Sequence, residues 1–194
     1  TLAKRARGTY LLFTDADTVH GPQSISWAIT NMVYHRLDAL SGCPRHPAHG
    51  LGEALVVPGI YANLMLLLPL WLVRNTRAWF FSHVIGQYVV LTKEAFAAIG
   101  GWTDVRGRIS EDVYIGRRLK QQGRTLMFLD AKRHTECHMY NSFSGAVHGL
   151  SKNIYDFLGK KPAWVALLSA FIIGFILLPF AAFHLTFFAG STAM

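Results

Sequence analysis

Charge and cysteine are what this chain has least of. Only 15% of its 194 residues are charged, against 52% hydrophobic. That makes it greasier than most soluble domains and points to membrane contact. Acidic residues are the scarcer sign: 11 Asp and Glu against 19 Lys and Arg leave a formal net charge of +8 with His neutral. The cationic excess suits anionic head groups, a phosphorylated substrate or nucleic acid. No basic–aromatic recognition motif accompanies it, so nucleic acid is not an expected partner. Two cysteines, Cys43 and Cys137, are too few for a disulfide framework, and a reducing compartment is the default. No internal repeat is present. The first residue is Thr1 rather than methionine, so the chain is expected to be a piece of a longer protein.

What is there divides into a mixed front and an apolar end. Residues 1–9 read as the end of a helix closed by Gly8. Tyr10 to Thr14 (YLLFT) reads as a strand buried on both faces, as in a parallel sheet. Residues 41–52 (SGCPRHPAHGLG) have the composition of a loop. Val84 to Thr92 suggests a strand, Lys93 to Ile99 a short helix stopped by Gly100-Gly101, and Thr125 to Leu129 another strand. Ser110 is a candidate N-cap for a helix running to Gly123. Strands alternating with helices argue an α/β layer architecture.

From Ala163 to Ala189 the chain is apolar almost throughout, long enough for a transmembrane helix, which needs about 20 such residues. Lys152, Lys160 and Lys161 precede it and no Lys or Arg follows, so the positive-inside rule puts the preceding part on the cytoplasmic side of an inner or plasma membrane. Residues 154–162 read as a basic juxtamembrane linker. A second apolar stretch, Ala54 to Val73, is interrupted by Pro58, Gly59, Asn63 and Pro69. Those breaks suit an interfacial or re-entrant segment better than a straight lipid-exposed helix; packing beneath the sheet is the alternative.

Two acidic motifs carry the chemistry. Asp15 and Asp17 follow the first strand one residue apart. In an extended chain such residues face the same way, so both can address one point at the strand's carboxyl end, where open α/β sheets bind ligands. Paired carboxylates there are a seat for Mg or Mn, with substrate phosphates completing the shell; a plain turn or helix cap accounts for the same letters. The second motif is Ser110-Glu111-Asp112. It reads either as a capped helix start or as a carboxylate general base. The two motifs stand about 95 residues apart with Gly100-Gly101-Trp102 between them, and the combination is far more specific than either alone.

In "LLFTDADT", "GQYVVLTKEAFAAIGGW" and "ISEDVYIGRRLKQQGRTLMFLD", over about Ala3 to Asn153, the chain resembles glycosyltransferase family 2, inverting sugar transferases of GT-A fold. The resemblance implies a partial GT-A, Rossmann-like mixed sheet with flanking helices, ahead of the transmembrane helix. It implies that Asp15 and Asp17 hold a divalent ion on a nucleotide-diphosphate sugar, with Asp17 the direct ligand. It makes Asp112 the catalytic base, with Glu111 beside it. The family's first half, which grips the nucleotide base, would precede Thr1. The Q/R-x-x-R-W motif of processive synthases is missing, and "MYNSFSGAVHGLSKN" stands in its place. This looks like the non-processive branch that glycosylates hopanoid, carotenoid-type, ceramide or other lipid acceptors. Lys152 is then the cation offered to the leaving diphosphate. Trp102 and Gln87 are the residues expected at the acceptor, with packing or strand pairing as their plainer roles.

His134, Cys137 and His138 have zinc-like spacing but no evident fourth ligand. His46 and His49 read as polar loop residues, and Arg117 and Arg118 as a solvated helix face. Competing with the membrane-anchored glycosyltransferase are a processive polysaccharide synthase and a non-catalytic module that binds a metal or anionic lipid.

Overall fold

The computed structural model describes residues 2–47, 50, 54, 69–102, 111–140, 142–157 and 161–191. The chain forms two compact units, Thr1–Gly149 and Leu150–Met194.

In the first unit a short helix α1 (Leu2–Arg5) precedes β1 (Tyr10–Thr14), β2 (Thr18–His20), α2 (Ser24–Tyr34) and β3 (Ala39–Cys43). After residue 69 come α3 (Leu70–Asn75), a 3-10 turn (Trp79–Phe81), β4 (Tyr88–Thr92) and α4 (Lys93–Ala98). Then follow α5 (Glu111–Gln121), β5 (Leu126–Asp130), β6 (Thr135–Cys137) and α6 (Phe143–Phe157), which crosses into the second unit.

The main sheet has the order β1-β4-β3-β5, antiparallel at β1–β4 and β4–β3 and parallel at β3–β5. The carboxyl ends of β1, β3 and β5 therefore share one edge with the start of β4. The alternation of β4 builds a core on each face. Val89 and Leu91 pack with Ile115 and Leu119 of α5 and Val73 of α3. Tyr88 and Val90 pack on the opposite face with Ala28 and Met32 of α2. The result is a mixed α/β layer architecture with helices on both faces, as the alternation of elements implied.

Two expectations change. β1 has the expected bounds, but it pairs only with β4 among the described residues, and of its five residues only Leu11 is buried. Its apolar run packs on both faces, Phe13 against one core and Tyr10 and Leu12 against the other, but these residues are only partly buried, and the pairing is antiparallel rather than parallel. Residues 41–43 are not loop: Ser41, Gly42 and Cys43 complete β3 and are buried. Gly42 is there for close approach, since a Cβ would lie 2.8 Å from Ala131 Cβ and 2.9 Å from Tyr88 Cδ1. The Ser41 hydroxyl donates to Ile85 O at 3.3 Å and accepts from Ile85 N–H at 2.9 Å, completing a pairing that the backbone does not make. Gly42→Val is expected to cost about 1–3 kcal/mol through overpacking, read as a lower unfolding midpoint in detergent.

Of the expected interfacial stretch 54–73, residues 55–68 lie outside the described residues, as do Ser110 and His49. Val73, at the end of that stretch, is fully buried in the core.

Among its described residues the second unit has one helix, Pro162–His184, long and apolar enough to cross a membrane. It consists of α7 (Pro162–Ile172), a π-helical turn (Ile173–Leu177) and the start of α8 (Leu178–Ser191). Pro179 has no N–H to bond back one turn and its ring crowds the carbonyl there, which accounts for the widened turn just before it.

Candidate active site

β1 ends at Thr14, so Asp15 and Asp17 leave the strand rather than extend it. They form a tight turn in which Asp15 O accepts from Thr18 N–H at 3.2 Å. The two carboxylates still feel each other: burial and then the charge of Asp17 push the Asp15 carboxyl above its usual range.

The turn is held from three sides. β2 pairs antiparallel with β6, placing Thr18 opposite Cys137. His138 N–H donates to Asp17 O at 3.0 Å, and the Cys137 thiol donates to Asp17 Oδ1 at 3.4 Å. Burial, followed by the Asp17 charge, holds Cys137 protonated, with its pKa pushed up to about 12. On the strand side, Thr14 Oγ1 donates to Gln87 O at 3.1 Å. His20 bridges Thr14 Oγ1 and Ser24 Oγ at 3.1 Å each, and Ser24 in turn bonds the Tyr88 hydroxyl.

Register brings the other motif to the same place. Thr14 pairs with Tyr88, and Phe13 with Val89, so Asp15 and Gln87, the residues just beyond the paired ends, stand together at that edge. Gly116 of α5 lies flat on the segment before β4: a Cβ there would meet Val84 Cγ2 at 3.0 Å and Ser82 Cβ at 3.1 Å. One turn earlier, Asp112 Oδ2 accepts from Gly86 N–H at 3.4 Å and Oδ1 accepts from Val113 N–H at 2.8 Å. Burial raises the Asp112 carboxyl, these N–H groups offset part of that, and the Asp15 charge raises it further. Glu111 is largely exposed, and partial desolvation, then the charges of Asp112 and Asp15, raise its carboxyl. Asp15 thus shares one electrostatic field with Glu111 and Asp112, although about 95 residues separate it from them in sequence.

Gln87 is 5% exposed, and its Oε1 is buried without a hydrogen-bond partner. A buried amide oxygen of this kind is costly unless something fills its place. Trp102 packs edge-on against Phe13 at 4.9 Å, two residues before Asp15. The Gly100-Gly101 pair makes that return: both have positive φ, 80° and 67°, which side-chain-bearing residues rarely adopt. Lys152 is exposed on the part of α6 that belongs to the second unit.

The zinc-like trio comes apart in space. His134 stacks on Trp27 at 4.7 Å, Cys137 serves Asp17, and His138 lies 4.0 Å from Glu136. Among the described residues no group of three or more His, Cys, Asp or Glu could hold a metal on its own. Two hard carboxylates that leave the remaining positions to phosphate and water are the donor set that Mg or Mn takes at such sites, so Asp15 and Asp17 fit that ion. Arg117 stacks over Trp79 at 5.1 Å and Arg118 over Tyr114 at 5.9 Å. Sequence reasoning set His46 aside as a polar loop residue; burial pushes it below the usual imidazole range, while a hydrogen bond with the Cys137 backbone and the Asp17 charge pull it up. It missed Thr14, Ser41 and Gly116, whose roles depend on contacts distant in sequence.

No protein-family model and no curated protein matches this chain. Among solved structures it is similar to S. aureus TarS 1-349 in complex with UDP-GlcNAc, at 14% identity and a TM-score of 0.46 over 73% of this chain and 38% of that one. It is also similar to mannosyl-3-phosphoglycerate synthase from Rubrobacter xylanophilus, at 15% identity and a TM-score of 0.37 over 81% of this chain and 48% of that one. The chain therefore spans less than half the length of these two structures.

Proposed function

We propose that the chain is the catalytic part of a membrane-anchored, metal-dependent inverting glycosyltransferase. It moves a sugar from a nucleotide-diphosphate sugar to the hydroxyl of a lipid-like acceptor. The observation that carries this reading is the convergence of the Asp15–Asp17 turn and Asp112 at one sheet edge through the Gly86 hydrogen bond and a shared field. The sequence motifs of the family 2 resemblance fall on these same residues.

Asp112 takes the proton of the acceptor hydroxyl as that oxygen bonds to the anomeric carbon. The bond from that carbon to the diphosphate breaks, and the nucleoside diphosphate leaves with the electron pair. A single displacement inverts the anomeric centre. A divalent ion held by Asp15 and Asp17 supplies neutralising charge for the leaving diphosphate when bound. Gln87 offers its buried Oε1 to a substrate hydroxyl, and Trp102 forms an apolar wall near it.

Lipids from cells expressing the full-length protein test this. Mass spectrometry should show a lipid heavier by one sugar, absent with Asp112→Asn. No sugar-bearing lipid in either case overturns the reading, and a ladder of added sugars favours a processive synthase instead.

A further inference from the structure

Three large aromatic side chains stand in solvent on one short stretch of the first unit: Trp71 at 66% exposure, Trp79 at 47% and Phe80 at 56%. Nothing about the local fold compels this. α3 already has an inward face, since Leu70 packs against the core and Val73 is buried in it. Lys120 of α5 closes the end of α3 by donating to Val73 O and, at 2.7 Å, to Thr76 O. The outward positions are therefore free to be polar, and they carry tryptophan and phenylalanine instead.

The charges around them have one sign. From Leu70 to Phe81 the chain carries Arg74 and Arg77, both exposed, and no acidic residue. Arg117 adds a third guanidinium from α5, lying over the Trp79 ring. Tryptophan among arginines suits the boundary between head groups and acyl chains: the rings bury apolar area while the guanidinium groups stay with phosphate. The same stretch is preceded by residues 54–69, which carry no charge at all.

We infer that this face, Trp71, Trp79 and Phe80 with Arg74, Arg77 and Arg117, rests on the surface of an anionic lipid bilayer. The inference rests on the reading above that the first unit works at a membrane. Aromatic rings provide the depth and the arginines select anionic head groups.

Both native cysteines are buried, so a thiol-reactive nitroxide can be directed to introduced ones. Trp71→Cys, Trp79→Cys and Phe80→Cys are labelled in the full chain, reconstituted in vesicles of phosphatidylcholine and phosphatidylglycerol, with exposed Lys132→Cys as the aqueous reference. The three labels should meet dissolved oxygen more, and a water-soluble nickel chelate less, than the label at 132. They should shift toward water in phosphatidylcholine alone. Labels at 71, 79 and 80 that match the reference overturn the face, and equal depth in both lipids overturns its choice of anionic lipid. Should a cysteine variant misfold, quenching of intrinsic fluorescence by lipids brominated near the head group gives the second measure. It should fall in the double variant Trp71→Phe/Trp79→Phe, and unchanged quenching overturns the inference. Neither readout requires sugar transfer. An inactive chain that still buries these labels leaves the face standing, whereas an active one that keeps them in water removes the face alone.

Discussion

Asp112→Asn is expected to lower kcat by about 10²–10⁴-fold, the span a positioned general base contributes, with little change in the KM for nucleotide sugar. A base acts in the transition state, so its loss falls on kcat. Asparagine is nearly the same shape, and its single oxygen can keep the shorter bond, from Val113 N–H at 2.8 Å. Its NH2 group then faces Gly86 N–H, so the longer 3.4 Å bond is given up along with the proton acceptor. Glu111→Gln should be much milder, because Glu111 is exposed, whereas Asp112 is half-buried and tied to the segment before β4. A crippled Glu111→Gln beside a near-normal Asp112→Asn exchanges their roles. The pH profile carries the same assignment. Burial and the Asp15 charge raise the Asp112 carboxyl, so its ionised, proton-accepting form is lost as pH falls through that raised value. The acidic limb of kcat should therefore lie above the range of an ordinary carboxylate, and a limb at or below that range counts against Asp112 as the base.

Asp17→Ala is expected to reduce kcat/KM by about 10²–10³-fold, the scale on which one preformed electrostatic contact acts, while the protein stays folded and membrane-bound. The turn should survive, since its backbone bonds, from Thr18 N–H to Asp15 O and from His138 N–H to Asp17 O, need no side chain. Stability supplies an independent readout. Asp15, Glu111 and Asp112 all have raised values. Each holds its proton more tightly folded than unfolded, so stability falls as pH rises through those values. At neutral pH the crowded carboxylates therefore oppose folding, and a bound divalent cation offsets that. Adding Mg or Mn should raise the melting temperature of the unaltered chain and leave that of Asp17→Ala nearly unchanged. Near-normal turnover with intact metal dependence in the variant sinks the assignment.

The parts legible in the sequence were those whose local pattern and tertiary role agree. β1 has its expected bounds, and the start of α5 falls at its acidic motif. Ser41 to Cys43 misled because Ser and Gly usually mark turns. Here the serine completes a backbone pairing and the glycine admits Tyr88, neither of which leaves a local trace. α2 (SISWAITNMVY) has no charged residue and no side-chain cap, so nothing announced it. β2 and β6 have three residues each, too few to show a period. The two acidic motifs were found by residue type. What brings them together, Gly116 against Ser82 and Val84 and the Gly86 hydrogen bond, is contact across the fold.

α5 is bolted to the chain between Val73 and Gly86 at three heights: Lys120 on the last carbonyls of α3, Gly116 against Ser82 and Val84, and Asp112 on Gly86. Trp79 and Phe80 belong to that same clamped length. A helix rises 1.5 Å per residue, so the eight residues from Asp112 to Lys120 make a rigid gauge about 12 Å long. If the aromatic face rests on a bilayer and Asp112 is the base, as proposed above, this clamping ties the level of the carboxylate to that of the rings. A lipid acceptor would then have to present its hydroxyl at that level, so its reach as well as its chemistry would decide whether it reacts.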